Sequence, residues 1–209
     1  MKKNLFLIFL FALFLSACQP QASAITGDVL FSDDFSTRDN AWTHLVNDGG
    51  VMDYNAGGFR FYIREPNLNY WTTAGQHFDD VRIEVDALQY SGPEENRLGV
   101  ICRHRDDNNY YFFVISTDGY YAIGKVKDGE QSLLGQNAMR YASAIQTGVS
   151  INHLRAECQG STLRLYINDS PVALVDDSDF SEGDVGLLAG TFDQGELDVL
   201  FDNFQVLQP

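Results

Sequence analysis

The sequence predicts an all-β domain, a jelly-roll β-sandwich of two curved antiparallel sheets, on three observations. From Asp28 onward, short runs rich in Val, Ile, Phe and Tyr recur between clusters of Gly, Asp and Asn. Within those runs apolar and polar residues alternate, as in a strand with one buried and one wet face, and no stretch keeps a helical period beyond about two turns. About twelve such runs fit along the chain, more than an immunoglobulin-type sandwich uses and suited to a larger jelly roll.

Taken in chain order, Lys2 and Lys3 come first, followed by an unbroken apolar run from Leu5 to Leu15 and the small residues Ser16 and Ala17. That order is an export signal. At about 1.5 Å per helical residue the run covers roughly 16 Å against the roughly 30 Å of a hydrocarbon core, too short to remain as a span. Leu15-Ser16-Ala17-Cys18 resembles the lipobox of bacterial lipoproteins, which implies removal of residues 1–17 and lipidation of Cys18 as the mature N-terminus. The expected location is therefore the cell envelope, facing the periplasm or the extracellular space, with membrane contact through the lipid anchor only. Residues 18–27 form the lipidated Cys and a small, polar tether, and residues 28–209 form one domain large enough to bury a substantial core.

The full chain has 14 basic and 29 acidic residues, a net charge of −15, and loss of the two leader lysines brings it to about −17. Such a surface repels phosphate backbones and anionic headgroups, which excludes nucleic acid as a partner.

Asp80 to Tyr90 shows the strand pattern most clearly: Val81, Ile83, Val85 and Ala87 point one way, and Arg82, Glu84 and Asp86 the other. The same alternation runs through Arg97 to Arg103, Tyr110 to Ser116, Leu154 to Cys158, Thr162 to Asn168, Asp184 to Ala189 and Leu197 to Val206. Asp118-Gly119, Asp128-Gly129 and Asn168-Asp169 supply turns between them. Gln136 to Ile145 reads as room for one helical turn. No internal repeat or charge block marks a second domain.

Cys102 and Cys158 are the cysteines left once Cys18 is lipidated, and both fall inside predicted strands of an exported chain. A disulfide between them is expected. Closing a loop of about 57 residues would stabilise the fold by roughly 4 kcal/mol in the chain-entropy picture.

Four segments together carry a family resemblance: LFSDDFS with Trp42 after it, GVICRHRDDNNYYFFVISTDGYYAI, NHLRAECQGSTLRLYIND, and GDVGLLAG followed by VLFDNFQV. They resemble concanavalin A-like lectin/glucanase domains, and more narrowly the 3-keto-disaccharide hydrolase-type family found on bacterial lipoproteins, over about residues 28–207. The resemblance implies a concave sheet face that in many relatives holds sugars. It also implies a structural Ca²⁺ held near the chain ends by Asp34, Asp202 and backbone carbonyls. Sugars are gripped by flat rings and planar hydrogen-bonding groups. From Trp71, Tyr70, Tyr62, Arg60, Arg97, Arg103, His104, Tyr111 and Tyr121, the residues expected to face the groove are Arg103, Tyr111 and Trp71.

Signs of catalysis are sparse. Glu84 and Asp86 resemble part of the Glu-x-Asp-x-Glu strand of laminarinase-type hydrolases, but Leu88 takes the third position. There is no Gly-x-Ser-x-Gly, His-Glu-x-x-His or phosphate loop, and His44, His77, His104 and His153 are scattered. The expected function is a non-catalytic module binding a glycan or another cell-surface ligand. A glycoside hydrolase acting on (3-keto-)disaccharides is the second reading, and a structural or assembly lipoprotein the third.

Overall fold

The computed structural model describes residues 27–38 and 41–209; the export signal and Cys18 lie outside them. In chain order the strands are β1 (Val29–Asp33), β2 (Leu45–Asn47), β3 (Gly50–Asn55), β4 (Gly58–Ile63), β5 (Asn69–Phe78), β6 (Val81–Ser91), β7 (Asn96–Asp106) and β8 (Asn109–Ser116). After them come β9 (Tyr120–Lys127), β10 (Glu130–Leu133), β11 (Arg140–Tyr141), β12 (Ile151–Gln159), β13 (Thr162–Ile167), β14 (Ser170–Asp176), β15 (Gly183–Thr191) and β16 (Leu197–Leu207). The excess over about twelve comes largely from β2, β10 and β11, two to four residues long, too short for alternation to register in a sequence. No helix occurs among the described residues: Gln136 to Ile145 is irregular apart from β11, with Met139 and Ile145 packed into different apolar clusters.

Two-residue turns set the register. Ala56-Gly57, Asp128-Gly129 and Asn168-Asp169 each have positive φ at both positions, the mirror-image turn whose twist matches paired strands. Every strand pairing is antiparallel. One sheet runs β14-β13-β12-β6-β16-β4-β3-β2 with β1 also on β16; the other runs β10-β9-β8-β7-β15-β5 with β11 also on β9.

Inward residues of both sheets meet in one core that includes Phe59, Phe61, Val85, Leu98, Phe113, Leu187 and Phe201, all fully buried. Trp42 closes one end of it, edge-on to Phe204 at 5.0 Å, with its Nε1 donating to Asp33 Oδ2 at 2.8 Å. The expected Cys102–Cys158 disulfide is present and ties β7 of one sheet to β12 of the other.

The two outer faces differ in kind. That of the nine-stranded sheet is charged, with Arg82, Glu84, Asp86, His153, Arg155 and Glu157 engaged in ion pairs. That of the seven-stranded sheet is apolar: Ile101, Tyr110, Phe112, Val114, Ala122, Val126 and Leu188 form a second buried cluster. Trp71, Leu133 and Met139 pack against that cluster, and outward side chains sheltered in this way fit a sheet that curls around them. This face is the concave one.

Candidate functional site

Strand register arranges the concave face in rows. Trp71 of β5 pairs with Leu188 of β15, which pairs with Gly99 of β7, then Val114 of β8 and Ala122 of β9. The next row is Thr73, Gly186, Ile101, Phe112, Gly124 and Leu133. Gly99, Gly186 and Gly124 interrupt these rows and leave gaps among the side chains of Leu188, Ile101, Phe112 and Val114. At Gly124 a Cβ would meet Phe112 Cζ at 2.2 Å, so the phenyl ring lies across the bare backbone.

Three rings line up along one edge of the face. Trp71 and Tyr110 have centroids 6.3 Å apart with planes 32° apart, and Tyr110 and His104 are stacked at 5.5 Å and 30°. Beside Trp71 opens a cleft of about 420 Å³ bordered by Thr43, Asn69, Thr73, His104 and Asp107. Burial pushes the Tyr110 phenol above its ordinary pKa. Asn69 Oδ1, His104 Nε2 and Arg97 Nε are shielded from water and make no hydrogen bond. His104 Nε2 is 3.7 Å from Asp107 Oδ1, beyond hydrogen-bond range. The face thus offers flat rings together with polar atoms that lack protein partners, an arrangement able to hold a ring-shaped polar ligand.

Of the residues expected here, Trp71 lines the cleft, and Arg103 and Tyr111 do not. Arg103 is displaced by a bulge in β7, where the register shifts between Cys102 and Asp106 and its φ is 52°. Simple alternation after core-facing Cys102 would send residue 103 outward; the bulge turns it inward and puts His104 on the concave face instead. The Arg103 guanidinium donates to Asp79 O at 3.3 Å, Gly160 O at 2.7 Å, Phe180 O at 2.8 Å and Asp80 Oδ1 at 3.0 Å, pinning three loops. Tyr111 occupies the inward position next to Tyr110. Its hydroxyl donates to Asp177 Oδ1 at 2.6 Å, and burial, reinforced by that bond, pushes its pKa up to about 12. Tyr110 and Arg97, on the concave face, had only the same strand alternation to mark them.

Glu84 and Asp86 lie on the opposite, charged face. Asp86 Oδ1 is 2.8 Å from His153 Nδ1, and Asp86 Oδ2 accepts from Asn203 Nδ2 at 3.0 Å. Asp107 is the one carboxylate lining the hollows of the concave face.

Asp34 spends its Oδ1 on Ser36, accepting from N at 3.0 Å and Oγ at 2.7 Å. It lines a hollow with Ser32, Thr37, Asn203 and Gln205 that Asp202 does not share; Asp202 caps the Asn203 amide at 2.7 Å. Among the described residues the one close group of three potential ligands, His77, Asp79 and Glu182, is exposed beside the C-terminal end of β5.

No family model and no curated protein matches the chain. Solved structures do match in fold. A carbohydrate-binding module, CBM66, from Bacillus subtilis superposes with a TM-score of 0.65 at 20% identity, over 80% of this chain and 96% of that one. A Bacillus subtilis protein of unknown function with a galectin-like fold gives 0.62 at 11%, over 87% and 96%. A Bacteroides ovatus mixed-linkage glucan GH16 protein in complex with its G4G4G3G product gives 0.62 at 10%, over 86% and 100%. These likenesses show the architecture, a jelly-roll sandwich of two antiparallel sheets.

Proposed function

We propose that this domain is a non-catalytic module that binds a glycan through the concave face of its seven-stranded sheet, and that Cys18 carries the lipid tethering it to the cell envelope. The observation that carries the reading is the series Trp71, Tyr110 and His104, neighbouring rings on the concave face, Trp71 and His104 partly exposed and Tyr110 buried, beside polar atoms without hydrogen-bond partners among the described residues. The CH faces of a sugar pack on such rings while its hydroxyls take the unmet hydrogen bonds. Similarity in fold to a carbohydrate-binding module and to a glucan-processing protein supports the same reading.

Hydrolysis by the usual two-carboxylate route needs a second acid about 5–9.5 Å from the first. Asp107 stands without such a partner among the residues lining this face. The test is a glycan array followed by calorimetry on the full chain in detergent, with a parallel assay for sugar release. Binding without turnover is expected, with affinity lowered at least tenfold in Trp71→Ala. Turnover would favour the hydrolase, and no binding to any glycan would favour an assembly role.

A further inference from the structure

Arg97 stands apart from the other arginines. Those that the fold withdraws from solvent meet an acid: Arg60 with Asp198 at 2.7 Å, Arg103 with Asp80 at 3.0 Å, Arg82 with Glu84 at 3.0 Å, Arg164 with Glu157 at 3.4 Å. Arg105, which has no anion, is exposed. Arg97 is partly buried, enough to depress its pKa, with its Nε shielded from water, yet among the described residues it makes no ion pair and no hydrogen bond. An unpartnered cation withdrawn from water is costly, and a chain with 29 acids and 14 bases has anions to spare for it.

Its surroundings are shaped for an anion from outside. The Phe192 ring covers one side of the guanidinium, 4.2 Å from Cζ, which leaves the donors along the edge of the plane for a ligand lying in that plane. A hollow of about 170 Å³ opens beside it, bounded by the apolar Phe112, Val114, Leu133 and Met139 and by Gln131, the one other polar side chain in its lining among the described residues, which makes no hydrogen bond to Arg97. Across the side-chain-less Gly190 lies Asn69, whose Oδ1 would be 2.0 Å from a Cβ at that position and is itself unpartnered. A guanidinium edge beside an amide acceptor presents donors to an anionic group and an acceptor to a neighbouring hydroxyl.

We infer that the glycan taken by this face carries an acidic sugar residue whose anionic group docks edge-on against Arg97 while an adjacent hydroxyl is held by Asn69. The inference rests on the glycan-binding reading above and narrows its ligand. One unpaired cation on this face of a molecule of net charge −15 suits a glycan with an isolated acid among neutral sugars rather than a polyanion, whose further charges would be repelled by acidic side chains lying within the roughly 8 Å screening length.

The test is calorimetry of the full chain in detergent with a glucuronic acid-terminated disaccharide, its carboxyl-reduced neutral twin and its sulfated twin. Tighter binding of an anionic twin than of the neutral one, by tenfold or more, is expected; which twin prevails tells a carboxylate from a sulfate. That preference should vanish in Arg97→Gln and shrink in Arg97→Lys, which keeps the charge and loses the planar fork. Preference for the uronate in the unaltered protein should also fade below about pH 3.5 as the sugar carboxyl protonates, a readout that stands even if Arg97→Gln fails to fold. Equal binding of all three, or an anion preference that survives in Arg97→Gln, overturns the inference and leaves the glycan reading intact. No binding of any of the three, alongside no hit on a general array, overturns both.

Discussion

Which way a side chain points decides its role here, and on two strands the choice came down to a single position. Arg103 and Tyr111 face inward, and their neighbours His104 and Tyr110 face the groove. At Arg103 the cause is a bulge that reverses the alternation midway along β7, and nothing in the run CRHR signals the extra residue. For the Tyr110-Tyr111 pair both residues are aromatic, so composition does not distinguish faces; only the register against β7 and β9 does. Arg103 should therefore matter to stability rather than to ligand. Arg103→Met is expected to cost about 3 kcal/mol in urea unfolding, because two loop carbonyls and the Asp80 carboxylate lose their donor. Its glycan affinity should be unchanged, the reverse of the pattern expected for Trp71→Ala.

Strands with long, clean alternation were legible, and short ones were not. The run from Asp80 to Tyr90 became β6, Val81–Ser91, with Val81, Ile83, Val85 and Ala87 buried as the pattern required. By contrast β11 has two residues, Arg140 and Tyr141, and exists only because β9 offers a partner edge. Pairing of β6 with β12 also creates the charged contact between Asp86 and His153. The hydrogen bond raises the His153 pKa above its ordinary value and lowers that of Asp86 below its own. The histidine contribution is fully present below the unfolded value of about 6.5 and is lost as pH rises through the raised folded value. The aspartate contribution is present above about pH 3.9 and is lost as pH falls through the depressed one. Melting temperature followed from pH 3 to pH 9 should thus fall off on both sides of a mildly acidic plateau, and His153→Gln should remove the part of the decline above neutrality.

At the scale of the whole molecule, two sheets share one core, and the disulfide is the single covalent cross-link between them besides the main chain among the described residues. Both cysteines are fully buried. Replacing them together by alanine is expected to lower stability by about 4 kcal/mol, seen as a lower urea midpoint with a somewhat steeper slope, since the unfolded chain freed of the cross-link exposes more surface. The sandwich class was readable from strand count and period. The hollowness of one face was not, because it depends on how glycines from β7, β9 and β15 come into line, and that alignment exists only once the strands are paired. The nine-stranded sheet has one more property of this kind: its central strand, β16, bonded to β1, β4 and β6, is the last to be synthesised. No N-terminal portion can therefore close the sheet ahead of its final residues. Until β16 is in place, β14-β13-β12-β6 and β4-β3-β2 have no strand joining them, so the two halves of the sheet are tied together by one late pairing.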